Sequence, residues 1–417
     1  MLDRKVAPQI QQINSINFEA PEQKMLNGIP FYHMNEVPND TCRFDLYFNA
    51  GKIHGQKSIP SVANGLLLSG TSSKNTNEIN EAISTLGAYY ESGISVENAV
   101  TSIYCLKENL VEAISIIVEA ITDVQFPEKE MLEYLSDRKQ QFQIGLKKVG
   151  VNAQREFQQK LFASNTLYSQ VTEIKDFDSI KREDIISFHK DHYINGLQKI
   201  VLVGNISSED VNTIESKLSS FHIATFNDSE ELSNLPETSH LEIKDAMQSA
   251  IRIGRILFTK NHNDYLDFII LNTVLGDYFG SRLMANIRED KGYTYGIGSH
   301  VVEFERTGYF VIGTEVKKEV REAAINEIKY EIEYLQNELI PEGELELVKN
   351  YMMGQLLKSA DGPYAMTDLF LSAILNGKDL SFYNDAIHAI QNIHPERLRE
   401  LARTYLNWSD LTIVSAG

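Results

Sequence analysis

The segment Phe126-Pro-Glu-Lys-Glu130-Met-Leu points to the fold, because it recurs as Ile340-Pro-Glu-Gly-Glu344-Leu-Glu. Pro127 and Pro341 lie 214 residues apart, and each segment predicts the start of a long amphipathic helix. Proline is tolerated in the first turn of a helix, and early carboxylates favour the positive end of the helix dipole. The sequence therefore contains a candidate internal repeat.

A second pair of segments repeats at almost the same distance. Arg182-Glu-Asp-Ile-Ile-Ser-Phe188 precedes Lys199-Ile-Val-Leu-Val-Gly204, and Glu396-Arg-Leu-Arg-Glu-Leu401 precedes Leu411-Thr-Ile-Val-Ser-Ala-Gly417. Each pair predicts a helix followed by a buried strand that ends in glycine. The two glycines lie 213 residues apart, so both matches indicate a duplication. The alternative is that helix-then-strand units resemble one another in unrelated proteins.

The predicted boundary between the halves is the polar, acidic segment 226–239, which Pro236 interrupts. It divides the chain into an N-terminal domain at 1–226, a linker at 227–239 and a C-terminal domain at 240–417. Both halves place strand-like segments before helical ones. This order predicts an α+β fold with two homologous domains, each a mostly antiparallel sheet with helices packed on one face.

Composition excludes several classes of function. The 417 residues include 39 Lys and Arg against 58 Asp and Glu, a net charge of −19 that repels nucleic acid and anionic membranes. Two cysteines are too few for a disulfide framework or a structural zinc cluster. No apolar run is typical of a membrane span or a signal peptide. We therefore expect a cytoplasmic location, with a periplasmic one left open.

Most familiar catalytic motifs are missing from the sequence. It contains no HExxH or HxxEH, no GxSxG, no Walker loop and no strand-linked GxGxxG. His189 and His192 could hold zinc with a third ligand, but their position at a helix end favours a structural role. Cys42 and Cys105 lie in strand-like apolar runs, which are typical of buried thiols.

One segment combines residues that could act on a carbonyl group. A helix is predicted over 264–287 and extends through Arg288, stops at Gly292 and leads into a strand-like segment with Tyr295. That turn can point Arg288 and Tyr295 in the same direction. A guanidinium and a phenol could then stabilise a carbonyl oxygen that gains negative charge, although both residues also occur in purely structural roles.

The same segment, Ser281-Arg-Leu-Met-Ala-Asn-Ile-Arg288-Glu-Asp-Lys-Gly292-Tyr-Thr-Tyr295, resembles a signature of the insulinase and pitrilysin family. These are the inverted-motif zinc peptidases, which include the mitochondrial processing peptidase. Ala246-Met-Gln-Ser-Ala-Ile-Arg-Ile-Gly254 and the helix starts at 126 and 340 resemble other parts of the family, so the resemblance covers nearly the whole chain. It implies two homologous domains that face each other, often as half of a clam-shell that encloses unfolded peptides.

The zinc motif of that family, HxxEH, is degenerate in this sequence. Alignment on Gly70-Thr71 places Ser61, Asn64 and Gly65 at the positions of His, Glu and His. The family's third ligand, a glutamate, would fall around residues 139–141, where no carboxylate stands. Serine and glycine cannot bind zinc usefully, so we expect no metal and no cofactor in this chain.

The resemblance also implies a function for the residues that remain. Arg288 and Tyr295 match a pair that contacts the substrate carbonyl from the domain opposite the zinc. The leading hypothesis is therefore a zinc-free metallopeptidase subunit, inactive alone, that supplies this pair to a zinc-bearing partner in a heterodimer. An unfolded peptide would bind as an added strand. The alternatives are a non-catalytic peptide-binding or assembly protein and a homodimer with hidden activity. No nucleic-acid or membrane partner is expected.

Overall fold

A computed structural model of the chain describes residues 13–16, 20–35, 40–223 and 232–417. In this part of the chain, strands and helices alternate and form two separate sheets. The segments 43–49 and 249–256, predicted as strands, lie in β3 (Thr41–Phe48) and β8 (Gln248–Leu257). The other strands are β1 (Glu22–Leu26), β2 (Ile29–Met34), β4 (Tyr89–Ile94), β5 (Ala99–Leu106), β6 (Leu197–Val203), β7 (Thr238–Leu241), β9 (Thr294–Glu303), β10 (Gly308–Lys317) and β11 (Thr412–Ala416).

The helices of the described residues follow the predicted repeat. Pro127 and Pro341 each stand directly before a long helix, with two glutamates in its first turn. None of the described helices is long and apolar enough to cross a membrane. The helices are α1 (Ile59–Gly65), α2 (Thr76–Thr85), α3 (Leu110–Thr122), α4 (Glu128–Gly145), α5 (Val149–Leu161), α6 (Arg182–His189), α7 (Ser208–Lys217), α8 (Tyr265–Leu275), α9 (Arg321–Asn337), α10 (Glu342–Ser359), α11 (Pro363–Ile374), α12 (Ser381–Asn392) and α13 (Pro395–Tyr405).

The two sheets have the same topology. The first sheet has the order β1-β2-β6-β3-β5-β4 and is antiparallel except for the parallel pair of β2 and β6. The second has the order β7-β11-β8-β10-β9, and its parallel pair is β7 with β11. Strands β2, β6, β3, β5 and β4 thus correspond to β7, β11, β8, β10 and β9. This correspondence confirms the predicted α+β fold of two homologous, mostly antiparallel units.

Each sheet buries one face under helices of its own half. In the first sheet, Phe44 and Leu46 of β3 belong to a core that includes residues of α1 and α3. In the second, Ile253, Phe310 and Ile312 belong to a core that includes residues of α8, α9 and α13. Successive side chains of a strand point to opposite faces, so the residues between these lie on the other side of each sheet.

The opposite face of each sheet receives one helix from the other half of the chain. Phe157 of α5 is fully buried in a cluster with Val311 of β10 and Val414 of β11. Leu371 of α11 packs in the same way with Val201 of β6. Helices α5 and α11 begin 214 residues apart, so this exchange follows the internal repeat.

The prediction of a continuous helix over 264–287 is wrong, because the helix is shorter. Helix α8 ends at Leu275, and after a break a π-helical turn follows at Met284–Asp290. Gly276 lies so close to β9 that a Cβ there would stand 2.6 Å from the backbone nitrogen of Ser299. The same nitrogen donates a hydrogen bond to the carbonyl oxygen of Gly276 at 3.2 Å. This backbone contact with the sheet ends the helix.

The predicted domain boundaries, 1–226, 227–239 and 240–417, stay a prediction. Residues 224–231 lie outside the described part of the chain. Strand β7, which begins at Thr238, pairs with β11 in the second sheet.

Candidate functional site

Arg288 and Tyr295 lie on either side of one tight turn. Arg288 belongs to the π-helical turn Met284–Asp290, and Tyr295 is the second residue of β9. Gly292 lies between them with φ of +64°, a left-handed conformation that glycine adopts without steric cost. The turn therefore places both residues at the start of the edge strand of the second sheet.

The side chain of Tyr295 is almost completely free of the protein. It is 96% exposed, and its hydroxyl group forms no hydrogen bond with any described residue. The pairing of β9 with β10 shifts in register between Thr314 and Val316, next to Tyr295. Such bulges are common at sheet edges and beside active sites, where they redirect a side chain. A tyrosine in this state is available to a substrate or a partner.

Arg288 is partly exposed, and its guanidinium contacts one aromatic ring. Its guanidinium lies 4.5 Å from the centroid of the Phe279 ring, a cation–π contact, and Phe279 is itself 67% exposed. Among the described residues, Arg288 forms no ion pair, and no hydrogen bond joins it to Tyr295. The expectation that the two side chains act on the same carbonyl group stays a prediction.

A groove of about 860 Å³ borders Tyr295, and we call it the Tyr295 groove. A second cavity of about 680 Å³ lies beside it, between α5 and the second sheet, and Tyr295 lines both. The residues that line the groove are 147–149, 243–248, 292–295 and 315–317.

The Tyr295 groove is basic, although the chain carries a net charge of −19. Four lysines line it, and none of them forms an ion pair with a described residue. Among the described lining residues, two are acidic, Asp245 and Glu315. The lysines are Lys147, Lys148, Lys244 and Lys317. The groove therefore favours contact with negatively charged groups.

Ser61, Asn64 and Gly65, the positions of the degenerate zinc motif, lie on α1. Ser61 and Asn64 line a pocket of about 520 Å³, which we call the Ser61 pocket. The Oδ1 atom of Asn64 accepts hydrogen bonds from the hydroxyl groups of Ser92, at 2.8 Å, and Tyr193, at 2.9 Å. Asn64 is thus engaged within the fold.

Tyr134 of α4 occupies the space beside Gly65. A Cβ at Gly65 would stand 1.9 Å from the hydroxyl oxygen of Tyr134. That oxygen accepts a hydrogen bond from Nε of Arg138 at 2.9 Å, and Gln141 accepts one from the same guanidinium at 3.4 Å. A side chain at position 65 would therefore clash with Tyr134.

The residues of the Ser61 pocket do not fit zinc. Among the described residues, no Asp, Glu, His or Cys lines the pocket, and Lys52 and Arg138 bring positive charge to it. Across the described residues, no group of three His, Cys, Asp or Glu side chains could hold a metal ion. Zinc requires about three ligands of those types, so the described residues of the pocket cannot hold it.

The histidines and cysteines considered from the sequence have structural surroundings. Nε2 of His189 bonds to the carbonyl oxygen of Ile121 at 2.9 Å, and burial lowers the pKa of His189 to about 4. Nδ1 of His192 bonds to a backbone carbonyl at 2.8 Å. Cys42 and Cys105 are buried, and burial raises the pKa of both thiols, to about 11 and about 12. Such thiols are poor nucleophiles.

Sequence reasoning missed Tyr134 and Arg138. Together with Gln141 they are spaced by four and three residues on α4, which places all three on one face of that helix. The sequence alone could have shown that these three residues share a helix face. What it could not show is that this face meets α1 at Gly65.

The duplicated α+β fold, whose described residues include no group that could hold a metal ion, is that of a metallopeptidase-like protein. Two family models match the chain: insulinase (peptidase family M16) over residues 32–167, and peptidase M16 inactive domain over 179–352. The chain belongs to the insulinase family, M16, as its sequence indicated.

Known relatives share this fold at low sequence identity. The uncharacterized zinc protease YmxG of Bacillus subtilis is 22% identical over 387 residues, which covers 90% of this chain and 93% of that protein. The probable inactive metalloprotease YmfF of the same species is 23% identical over 207 residues, or 47% of this chain and 46% of YmfF. A crystal structure of a peptidase M16 inactive domain from Pseudomonas fluorescens matches with a TM-score of 0.86 at 22% identity, covering 95% of this chain and 98% of that one.

Proposed function

We propose that this chain is the zinc-free subunit of a two-chain metallopeptidase and supplies Arg288 and Tyr295 to the active site of a zinc-bearing partner. One observation carries the proposal: the Tyr295 ring is 96% exposed at the mouth of a groove, with its hydroxyl group unused by the described fold. A tyrosine with a purely structural role would be packed or hydrogen-bonded. The misfit of the Ser61 pocket to zinc supports a division of labour between two chains.

The proposed chemistry is stabilisation of negative charge. The partner would supply the zinc-bound water that attacks the peptide carbonyl. As the carbonyl oxygen becomes negative, the Tyr295 hydroxyl donates a hydrogen bond to it, and Arg288 adds a positively charged donor. Backbone hydrogen bonds from Lys291 to Asn286 and from Tyr293 to Ile287 close the turn that carries both groups. They limit the backbone motion that is lost when the transition state forms.

The substrate class that fits this surface is an unfolded peptide. Strand β9 is the edge of the second sheet, so its outer backbone groups can pair with an added strand. Recognition through the backbone gives affinity with little sequence preference. The four lysines of the Tyr295 groove add a preference for peptides with acidic side chains.

The test is peptide cleavage by this chain mixed with a homologous chain that has an intact HxxEH motif, with and without a chelator. We expect cleavage that requires both chains and is abolished by chelation. Arg288→Ala and Tyr295→Phe should each lower kcat by about 10²- to 10³-fold, because each removes one donor to the oxyanion. The matched control is Tyr89→Phe, since Tyr89 is a 60% exposed tyrosine on the edge strand of the first sheet.

Two results would contradict the proposal. Unchanged turnover in both variants would remove the catalytic role of Arg288 and Tyr295. Absence of cleavage with a folded, zinc-loaded partner, together with peptide binding by this chain alone, would favour a non-catalytic peptide-binding or assembly protein.

A further inference from the structure

We propose that the Ser61 pocket binds a carboxylate joined to an apolar group, such as a medium-chain fatty acid or the C-terminus of a peptide that ends in an apolar residue. The pocket stands where the family's zinc motif aligns, yet its lining has the opposite electrostatic character from a metal site. The inference does not depend on the proposed role of Arg288 and Tyr295.

The charged lining residues of the pocket are both cations. Lys52 and Arg138 line it, and no Asp or Glu of the part of the chain that the structure describes does. Arg138 is held in place by Tyr134, which accepts a hydrogen bond from it at 2.9 Å and lies 5.2 Å from it in a cation–π contact. Neither cation forms an ion pair with a described residue. An arginine positioned by neutral partners keeps donors available for a carboxylate.

A third cation contacts one of the apolar residues that line the pocket. The guanidinium of Arg155 is 5.0 Å from the centroid of Phe142, which lines the pocket. Arg155 is half-buried and forms no ion pair among the described residues. The nearby carboxylates of Glu173 and Asp176 are each paired with a lysine. Burial lowers the pKa of Arg155, which indicates positive charge that its surroundings do not fully compensate.

The rest of the lining suits an apolar body with one polar end. The volume of about 520 Å³ lies within the range of small-molecule sites, about 300 to 1,000 Å³. The hydroxyl group of Ser61 forms no hydrogen bond with a described residue and can donate one to a carboxylate oxygen. The apolar lining residues are Val62, Ile94, Phe142, Val151 and Phe177. A strongly hydrated anion such as phosphate would leave these side chains uncovered.

The test uses isothermal titration calorimetry on the full chain with matched acids and amides. The first pair is octanoate and octanamide, and the second is a hexapeptide ending in leucine with a free or an amidated C-terminus. We expect at least one acid to bind saturably and at least tenfold more tightly than its amide. Binding of octanoate alone would identify a free fatty carboxylate as the ligand, and binding of the peptide acid alone would identify a peptide C-terminus.

Variants link that binding to the pocket. Arg138→Gln combined with Lys52→Gln should lower the affinity for the acid by about tenfold or more. Ser61→Phe should abolish binding because the larger side chain fills the pocket. Lys129→Gln is the matched control, because Lys129 is on the same helix as Arg138, its side chain is 81% exposed, and it does not line the pocket. The proposal is overturned if acid and amide bind equally, if neither acid binds at millimolar concentration, or if the pocket variants bind as the control does.

Discussion

Replacing Asn64 with alanine should destabilise the fold around the first sheet, although the family resemblance predicts Asn64 at the position of the glutamate of the HxxEH motif. Its Oδ1 atom accepts hydrogen bonds from Ser92 at 2.8 Å and Tyr193 at 2.9 Å. Tyr193 is fully buried, and burial raises the pKa of its hydroxyl group well above the ordinary value. That hydroxyl therefore stays protonated and needs an acceptor.

The magnitude follows from what each donor loses. In Asn64→Ala, the hydroxyl group of Tyr193 remains in the core without a partner, which costs about 1 to 3 kcal/mol. Ser92 lines the Ser61 pocket and can turn to water, so its lost hydrogen bond costs about 0.5 to 1.5 kcal/mol. We expect the free energy of unfolding to fall by about 1.5 to 4.5 kcal/mol in total.

Urea unfolding of three variants separates this explanation from simple loss of packing. Tyr193→Phe removes one donor but leaves Asn64 bonded to Ser92, so it should cost about 0.5 to 1.5 kcal/mol. The double variant should be more stable than Asn64→Ala alone, because no buried hydroxyl group is left without an acceptor. The reasoning fails if Asn64→Ala lies within about 0.5 kcal/mol of the wild type, or if Tyr193→Phe gives no rescue.

Three further predictions use the same urea assay. Burial lowers the pKa of His189 from 6.5 to about 4, so the unfolded chain binds the proton more tightly and stability is lost as pH falls from 6.5 to about 4. The loss is on the order of 3 kcal/mol, and a His189→Gln variant that shows the same pH profile would disprove it. Phe157→Ala should lower the free energy of unfolding by about 3 to 5 kcal/mol, whereas the exposed control Leu132→Ala should lower it by less than about 0.5 kcal/mol. Equal effects of the two variants would refute the burial of α5. Gly65→His should cost about 1 to 3 kcal/mol, and an equal cost in a Tyr134→Ala background would show that Tyr134 is not the obstacle.

Much of the fold could be predicted from local patterns. The repeated proline-glutamate segments predict the starts of α4 and α10, because proline and early carboxylates are favoured at the N-terminus of a helix. The prediction of one helix over 264–287 was wrong because Gly276 meets the backbone of Ser299, a contact between residues on different elements. The exchange of α5 and α11 between the two sheets was not predicted either. An amphipathic pattern shows that a helix buries one face, but not which surface covers it.

The candidate site was also predictable only in part. The family resemblance predicted that Arg288 and Tyr295 act as a pair and that Ser61, Asn64 and Gly65 stand at the zinc-motif positions, and both stay predictions. It did not show that Tyr295 stands exposed beside a lysine-lined groove. The four lysines of that groove come from three separate parts of the chain, around residues 147, 244 and 317, so their shared surface exists only in the folded protein.

The sequence by itself determined the duplication, the α+β fold and the missing metal ligands, because these depend on residue types and on spacing along the chain. Only the tertiary structure decided what surrounds Ser61, Asn64 and Gly65. Tyr134 is about 70 residues from Gly65 in the chain, and its hydroxyl group reaches Gly65 only in the folded protein. Contacts across such a distance form when burial of a common core outweighs the entropy of closing the loop between them. A pocket built from those contacts cannot be read from either segment alone.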